Sequence, residues 1–245
     1  MNNLLVLAFL FYGGSLIGWV LEFFFRNLIS HDGPKTAFFI NPGFCQGPYL
    51  PIYGIGTVVM FIISYLCKEV LHYTSFIPII LIIGLFMTLI ELIGGYLLLK
   101  YMNLRLWDYR KFKGNFKGYI CPQFALIWTL LGAIFYLLIY PYCINGIIWL
   151  SKNLAFSFFI GLFYGVFIID FINSSKILVK IKEFGDEHNV IVIYEDLKQN
   201  IQELKQNTEQ KIKFFNQTLI DKLSLLKVIN EYKKAFEEKR KDHQQ

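Results

Sequence analysis

Five runs of about twenty apolar residues, Leu4 to Phe25, Tyr49 to Cys67, Ile77 to Leu99, Tyr119 to Tyr140 and Leu154 to Ile172, leave this chain few possible folds. A helix of roughly 20 apolar residues crosses a hydrocarbon core, and lipid tolerates only segments whose backbone polar groups are satisfied internally. The runs predict an all-α, polytopic membrane protein with about five transmembrane helices. With 55% hydrophobic and 17% charged residues and a mean hydropathy of +0.46, a soluble domain of 245 residues is excluded. The first run is read as a retained helix rather than a signal segment. "MNN" supplies no positive region before it, the run is long, and no small-x-small site follows.

Lysine and arginine set the expected orientation. Arg26 and Lys35 follow the first run, and Lys100, Arg105, Arg110, Lys111, Lys113 and Lys117 lie between the third and fourth. The opposite side has only Lys68 and Lys152. The N-terminus is therefore expected outside and the C-terminus inside, with Trp149 and the Tyr140 to Tyr142 pair at the outer interface. Composition divides the chain into a transmembrane domain, 1–173, and a cytosolic, largely helical tail, 174–245. In the tail, Leu197, Ile201, Leu204, Ile212, Phe215, Leu219, Leu223 and Leu226 mark one stripe of a long helix of coiled-coil type, interrupted at Thr208. The segment "NVIVIYEDL" before it alternates like a short strand but has no evident partner. Fourteen basic and twelve acidic residues nearly balance the tail. That argues against nucleic acid and for pairing with a second copy or docking on another protein, and "EEKRK" is too mixed for a lipid-binding cluster.

Ionisable groups within a span are costly and mark functional positions by default. Glu22, in "GWVLEFFFR", has Trp19 three residues before it and Arg26 four after, so an in-helix ion pair competes with a functional role. Asp170 lies near the end of its run, within reach of headgroup water or Lys176, and reads as structural. Glu91, in "FMTLIELIGGYLLLK", differs: Lys100 is nine residues away, roughly 13 Å along the axis. Its neighbours at three and four residues are Met87, Thr88, Gly94 and Gly95. It must meet another helix, face water or stay protonated.

Two irregular stretches precede helices on the same side. "NPGFCQGPYLPIYGIG" carries three prolines and four glycines and must turn before a helix can start, and "GNFKGYICPQ" does the same beside Lys113 and Lys117. Helix starts accept anions, so this side pairs carboxylates for a cation with amides for an anion. The alternative is that the helix starts cap on their own loops. The two halves are faintly alike: a helix with a glutamate, a polar loop, Asn41, Gly43 and Phe44 or Asn115, Gly118 and Tyr119, then a helix with proline near its start. A parallel repeat of this kind places binding sites between its halves. Cys45, Cys67, Cys121 and Cys143 form no C-x-x-C pair and no zinc spacing with the four histidines, so no metal or cofactor is expected.

Taken together, "GWVLEFFFR", "NPGFCQGPYLPIYGIG", "ELIGGYLL", "LWDY" and "GNFKGYICPQFALIW" resemble the bacterial membrane proteins classed as ABC-transporter type IV permeases, the CmpB family. The resemblance spans most of Leu4 to Tyr142. Pro42, Cys45 and the long tail depart from it. It implies a multi-pass protein of the bacterial cell membrane working in a transport system. The chain carries no G-x-x-x-x-G-K-[ST], so a separate ATPase subunit is expected. Trp107, Asp108 and Tyr109 then read as a docking point for a cytosolic partner or as an interfacial anchor.

The first reading is a permease or accessory subunit with an inner-side substrate site around Glu22, Glu91, Asn41, Gly43, Gly47, Tyr53, Asn115 and Gly118. A second is an intramembrane enzyme acting on a lipid headgroup, with Glu91 or Glu22 as general base. It lacks a nearby histidine, since His31 and His72 fall on opposite sides, and lacks a serine nucleophile motif. A third is a scaffold packed through Gly14-x-x-x-Gly18 and Gly161-x-x-x-Gly165 that recruits a partner through its tail.

Overall fold

A computed structural model describes residues 2–28, 41, 43, 45–73, 75–188 and 191–194. His31, Lys35, Pro42, Phe44, the tail stripe from Leu197 to Leu226 and "EEKRK" lie outside the described residues, as does the side chain of Arg26. Helices dominate: α1 (Asn3–Leu28), α2 (Pro51–Tyr65), α3 (Phe76–Met102), α4 (Pro122–Ile134), α5 (Tyr140–Lys152) and α6 (Ser157–His188), with two-residue strands β1 (Leu104–Arg105) and β2 (Val192–Ile193). Five helical stretches are long and apolar enough to cross a membrane: Asn3–Phe25, Pro51–Val70, Phe76–Met102, Pro122–Lys152 and Leu154–Glu187.

Prolines fix where two of these helices begin. Leu50 and Cys121 are extended, as residues before proline must be, and Pro51 and Pro122 open α2 and α4, where the missing N–H costs nothing. Helix α3 stops at Asn103, whose φ of 49° is the left-handed cap that asparagine tolerates. One expected boundary moves. The fourth apolar run ends at Tyr140, yet the helix continues to Lys152. A π turn at Phe135–Ile139 links α4 to α5 just before Pro141, and widening the turn there accommodates the proline ring and its missing donor. Tyr140 therefore lies inside a continuous helix rather than at its end. It is 1% exposed, packs between Phe61 and Tyr136, and has the Lys68 ammonium 5.4 Å above its ring. Tyr142 and Trp149 do face outward.

Small residues bring the helices close. A methyl at Gly18 would stand 2.2 Å from Tyr53 Cβ, and one at Gly14 would meet the Thr57 side chain, so α1 and α2 touch along this stripe. The α3–α4 hairpin repeats the device, with Gly84 against Thr129. Each hairpin thus has glycine facing threonine, a proline-opened second helix and a loop between. The interior is filled by Ile63, Cys67, Ile79, Ile83 and Met87, and by Leu10, Phe61, Phe135 and Tyr140. Leucines such as Leu81, Leu85, Leu126, Leu130 and Leu162 point outward, as a lipid-facing surface requires.

Helix α6 packs one aromatic edge on α1: Tyr164 and Phe167 lie against Phe11, and Phe163 against Tyr12. It runs without a break through position 173, where the composition changes, so that boundary lies inside a helix. Near its end Asp186 accepts a hydrogen bond from Asn103. Val192 N–H donates to the Asn103 carbonyl (2.9 Å), pairing the start of β2 with β1. Val192, from the alternating stretch, thus pairs with a strand too short to stand out in sequence. The chain forms two compact units, Met1–Val192 and Ile193–Gln245. The second lies almost wholly outside the described residues.

Candidate functional site

Glu91 projects from α3 into the interior and is 4% exposed. Its Oε1 accepts a hydrogen bond from the Tyr109 hydroxyl (2.7 Å). Its Oε2 is buried and makes no hydrogen bond of good geometry, and the buried indole Nε1–H of Trp128 on α4 stands near enough to the Glu91 carboxyl to interact with it, without a well-aligned partner of its own. The carboxylate therefore meets neither lysine nor arginine among the described residues. Its one firm donor is a phenol delivered by a loop.

The loop between α3 and α4 is built to deliver it. Asn115 Oδ1 accepts from Gly118 N–H, and its Nδ2 donates to the carbonyls of Phe112 (2.7 Å) and Arg110. Gly118 adopts φ 76°, and any side chain there would strike Arg110 and the Arg105 guanidinium. With that turn fixed, Tyr109 N–H bonds Gly118 O, and the Tyr109 ring stacks on Phe124 with centroids 4.3 Å apart. Trp107 turns inward as well: its Nε1–H donates to Tyr119 O (2.9 Å) and its ring lies against Gly95. Burial first, then the charge and hydrogen bond of Glu91, then the charge of Glu22, push the Tyr109 phenol well up. It stays a protonated donor at any physiological pH.

Asp108 closes the loop from beneath, accepting from Arg110 and lying 3.9 Å from Arg105. Burial alone would raise the Asp108 carboxyl, but the hydrogen bonds and charge of Arg110, with the charge of Arg105, hold it below its usual range. A carboxylate held low when folded adds stability above its unfolded pKa, near 4, and loses it as pH falls through the folded value. Thermal melting against pH should therefore fall more steeply below about pH 4 in the wild type than in Asp108→Asn. Parallel curves would show that the Asp108 cluster does not hold the loop.

The second carboxylate arrives from α1. Glu22 accepts from the Tyr53 hydroxyl (2.6 Å), and the Tyr53 ring lies 5.8 Å from that of Trp128, tilted by 55°. Glu22 and Glu91 thus flank a group of rings from α2, α4 and the second loop. The first loop is held separately by Asn41. Its Oδ1 accepts from Trp19 Nε1 (2.8 Å) and Gly43 N–H, and its Nδ2 donates to the carbonyls of Cys45, Gln46 and Gly47. Asp170 on α6 completes this arrangement. It accepts from Gln46 N–H, Gly47 N–H, the Tyr49 hydroxyl and Ser174.

Of the residues singled out in the sequence, Glu22, Glu91 and Tyr53 come together, and Tyr109 joins them rather than standing with the exposed face of its loop. Asn41, Gly43 and Gly47 shape the first loop, and Asn115 and Gly118 the second. Trp128 and Phe124 were not singled out, whereas Asp170 was, as a structural carboxylate. Trp128 and Phe124 share one face of α4 four residues apart, a signal that was available. What the sequence does not give for Asp170 is its partners in the first loop, which lie more than 120 residues away. Among the described residues no group of histidine, cysteine, aspartate or glutamate is arranged to hold a metal ion.

Five membrane-length helices and a carboxylate buried within one of them define a multi-pass membrane protein with a polar centre. The chain belongs to the family described as "Putative ABC-transporter type IV", ABC_trans_CmpB, which matches residues 9–175. That range includes the second, third and fourth spans whole, most of the first and fifth, and every residue of the centre. No curated protein and no solved structure matches the chain.

Proposed function

We propose that the protein is the membrane component of a bacterial transport system, a permease or accessory subunit whose ATPase is a separate polypeptide, with Glu91 and Glu22 forming its substrate site. The observation that carries this reading is the Glu91 carboxylate, buried within a span with one oxygen held by Tyr109 and the other idle. Burying such a group without a partner is costly, so a site that awaits one accounts for it. In this reading the N-terminus is outside, and both irregular loops and the end of α6 face the cytosol, where basic residues concentrate. Arg110, Lys111, Lys113 and Lys117 are exposed on the second loop. They offer a cytosolic partner a basic face, continuous with α6 through Asn103 and Asp186.

Native purification in mild detergent, with proteomics and small-molecule analysis of what co-purifies, tests it in wild type and Glu91→Gln. The expected result is an ATPase subunit retained by both proteins and a small molecule or lipid enriched only by wild type. Identical small-molecule profiles would remove the substrate site, and the absence of any ATPase would remove the ABC assignment.

A further inference from the structure

The atoms around the idle oxygen narrow what the site takes. An anion is repelled by two carboxylates. A hard metal ion seeks several oxygen ligands at once, whereas the groups at the Glu91 carboxyl are the Tyr109 phenol and the Trp128 indole, whose rings lie against those of Phe124 and Tyr53. A neutral polyol needs several donors and acceptors, and the idle polar atoms of this centre are one carboxylate oxygen and one indole N–H. Aromatic faces beside a carboxylate in a dry setting are the surroundings that favour a weakly hydrated organic cation, with tryptophan the best ring for it. The Tyr53 and Trp128 planes open at 55°, and both hydroxyls, of Tyr53 and Tyr109, already donate to carboxylates. Their rings are thereby fixed in orientation.

We propose that Glu91 Oε2 with the rings of Trp128, Tyr53 and Tyr109 binds the ammonium group of an organic amine, free or carried on a lipid headgroup. This rests on the transport reading and names its substrate class. The ammonium pairs with the carboxylate oxygen that the protein leaves idle, and its alkyl groups lie on the ring faces.

The test uses the full chain in phosphatidylglycerol nanodiscs, which supply no ammonium. Choline and ethylammonium are titrated at constant ionic strength, with neohexanol, the neutral isostere of choline, as control. Thermal melting and tryptophan fluorescence report binding. The expected result is saturable binding of the ammonium probes and none of neohexanol. Affinity should fall about tenfold or more in Glu91→Gln, and several-fold in Trp128→Phe, whose melting curve establishes that it is folded. Weaker apparent choline binding in phosphatidylethanolamine nanodiscs identifies the headgroup as the source of the ammonium, and unchanged binding identifies the free amine. Equal binding of neohexanol, equal affinity in the folded variants, or no saturation by either probe in phosphatidylglycerol with no ammonium lipid retained would overturn the proposal. If a molecule without an ammonium co-purifies with wild type alone, the ammonium assignment falls while the site stands. Identical co-purification profiles would remove the site itself.

Discussion

Asp170→Ala is expected to release the first loop from α6 and to be among the most destabilising single changes in the molecule. The side chain accepts from two backbone N–H groups, the Tyr49 hydroxyl and Ser174. Hydrogen bonds to a charged group contribute about 1.5–3 kcal/mol each, and a buried donor left unpaired costs about 1–3 kcal/mol. Gln46 N–H is exposed and regains water, so the loss falls mainly on Gly47, Tyr49 and Ser174. Three such bonds give about 4.5 kcal/mol at the low end, and the partial exposure of the cluster brings the total to about 3 kcal/mol. Burial first, then the hydrogen bond and charge of Asp170, raise the Tyr49 phenol, so it remains a donor with no acceptor once the carboxylate is gone. Thermal melting in detergent should drop accordingly, and chymotrypsin should cut at Tyr49 in the variant while sparing wild type. Asp170→Asn keeps one acceptor oxygen and should lose about half as much. Wild-type melting and cleavage in both variants would show that α6 does not anchor this loop.

That anchor also shows where sequence stops informing. The five spans follow from apolar runs alone, since lipid leaves helices no alternative. Their starts shift to Pro51 and Pro122 because proline is favoured in the first turn. The same residue misleads at Pro141, where a π turn upstream carries the helix past it and buries Tyr140. Glu91 stands out because nothing within its own helix can pair with it. Its partner Tyr109 does not, because the ring's direction depends on the turn that Asn115 and Gly118 set. "LWDYR" therefore reads as a surface motif until the loop is folded. The Asp170 contacts and the pairing of Val192 with Asn103 join positions with no shared pattern, and only the packed chain brings them together.

The second large effect is expected at Tyr109→Phe. The ring keeps its place on Phe124, so the change removes one hydroxyl and little else. What it leaves is a carboxylate deep in a span with no hydrogen bond among the described residues. Losing a hydrogen bond to a buried charged group typically costs about 1.5–3 kcal/mol, because the remaining charge is left unsolvated. If that is the origin of the loss, it depends on Glu91. With methionine at position 91, there is no charge to strand, and the phenol itself gains by losing an unpaired hydroxyl.

A double-mutant cycle on Glu91→Met and Tyr109→Phe, read as stability of the reconstituted full chain, is the most direct measure of whether the loop and the spanning helix form one carboxylate centre. The account predicts strong coupling: Tyr109→Phe is severe in the wild-type background and close to neutral beside Glu91→Met, a difference of about 2 kcal/mol or more. Additive losses, within about 0.5 kcal/mol, would contradict it and leave Glu91 and Tyr109 as separate residues with no common site between them.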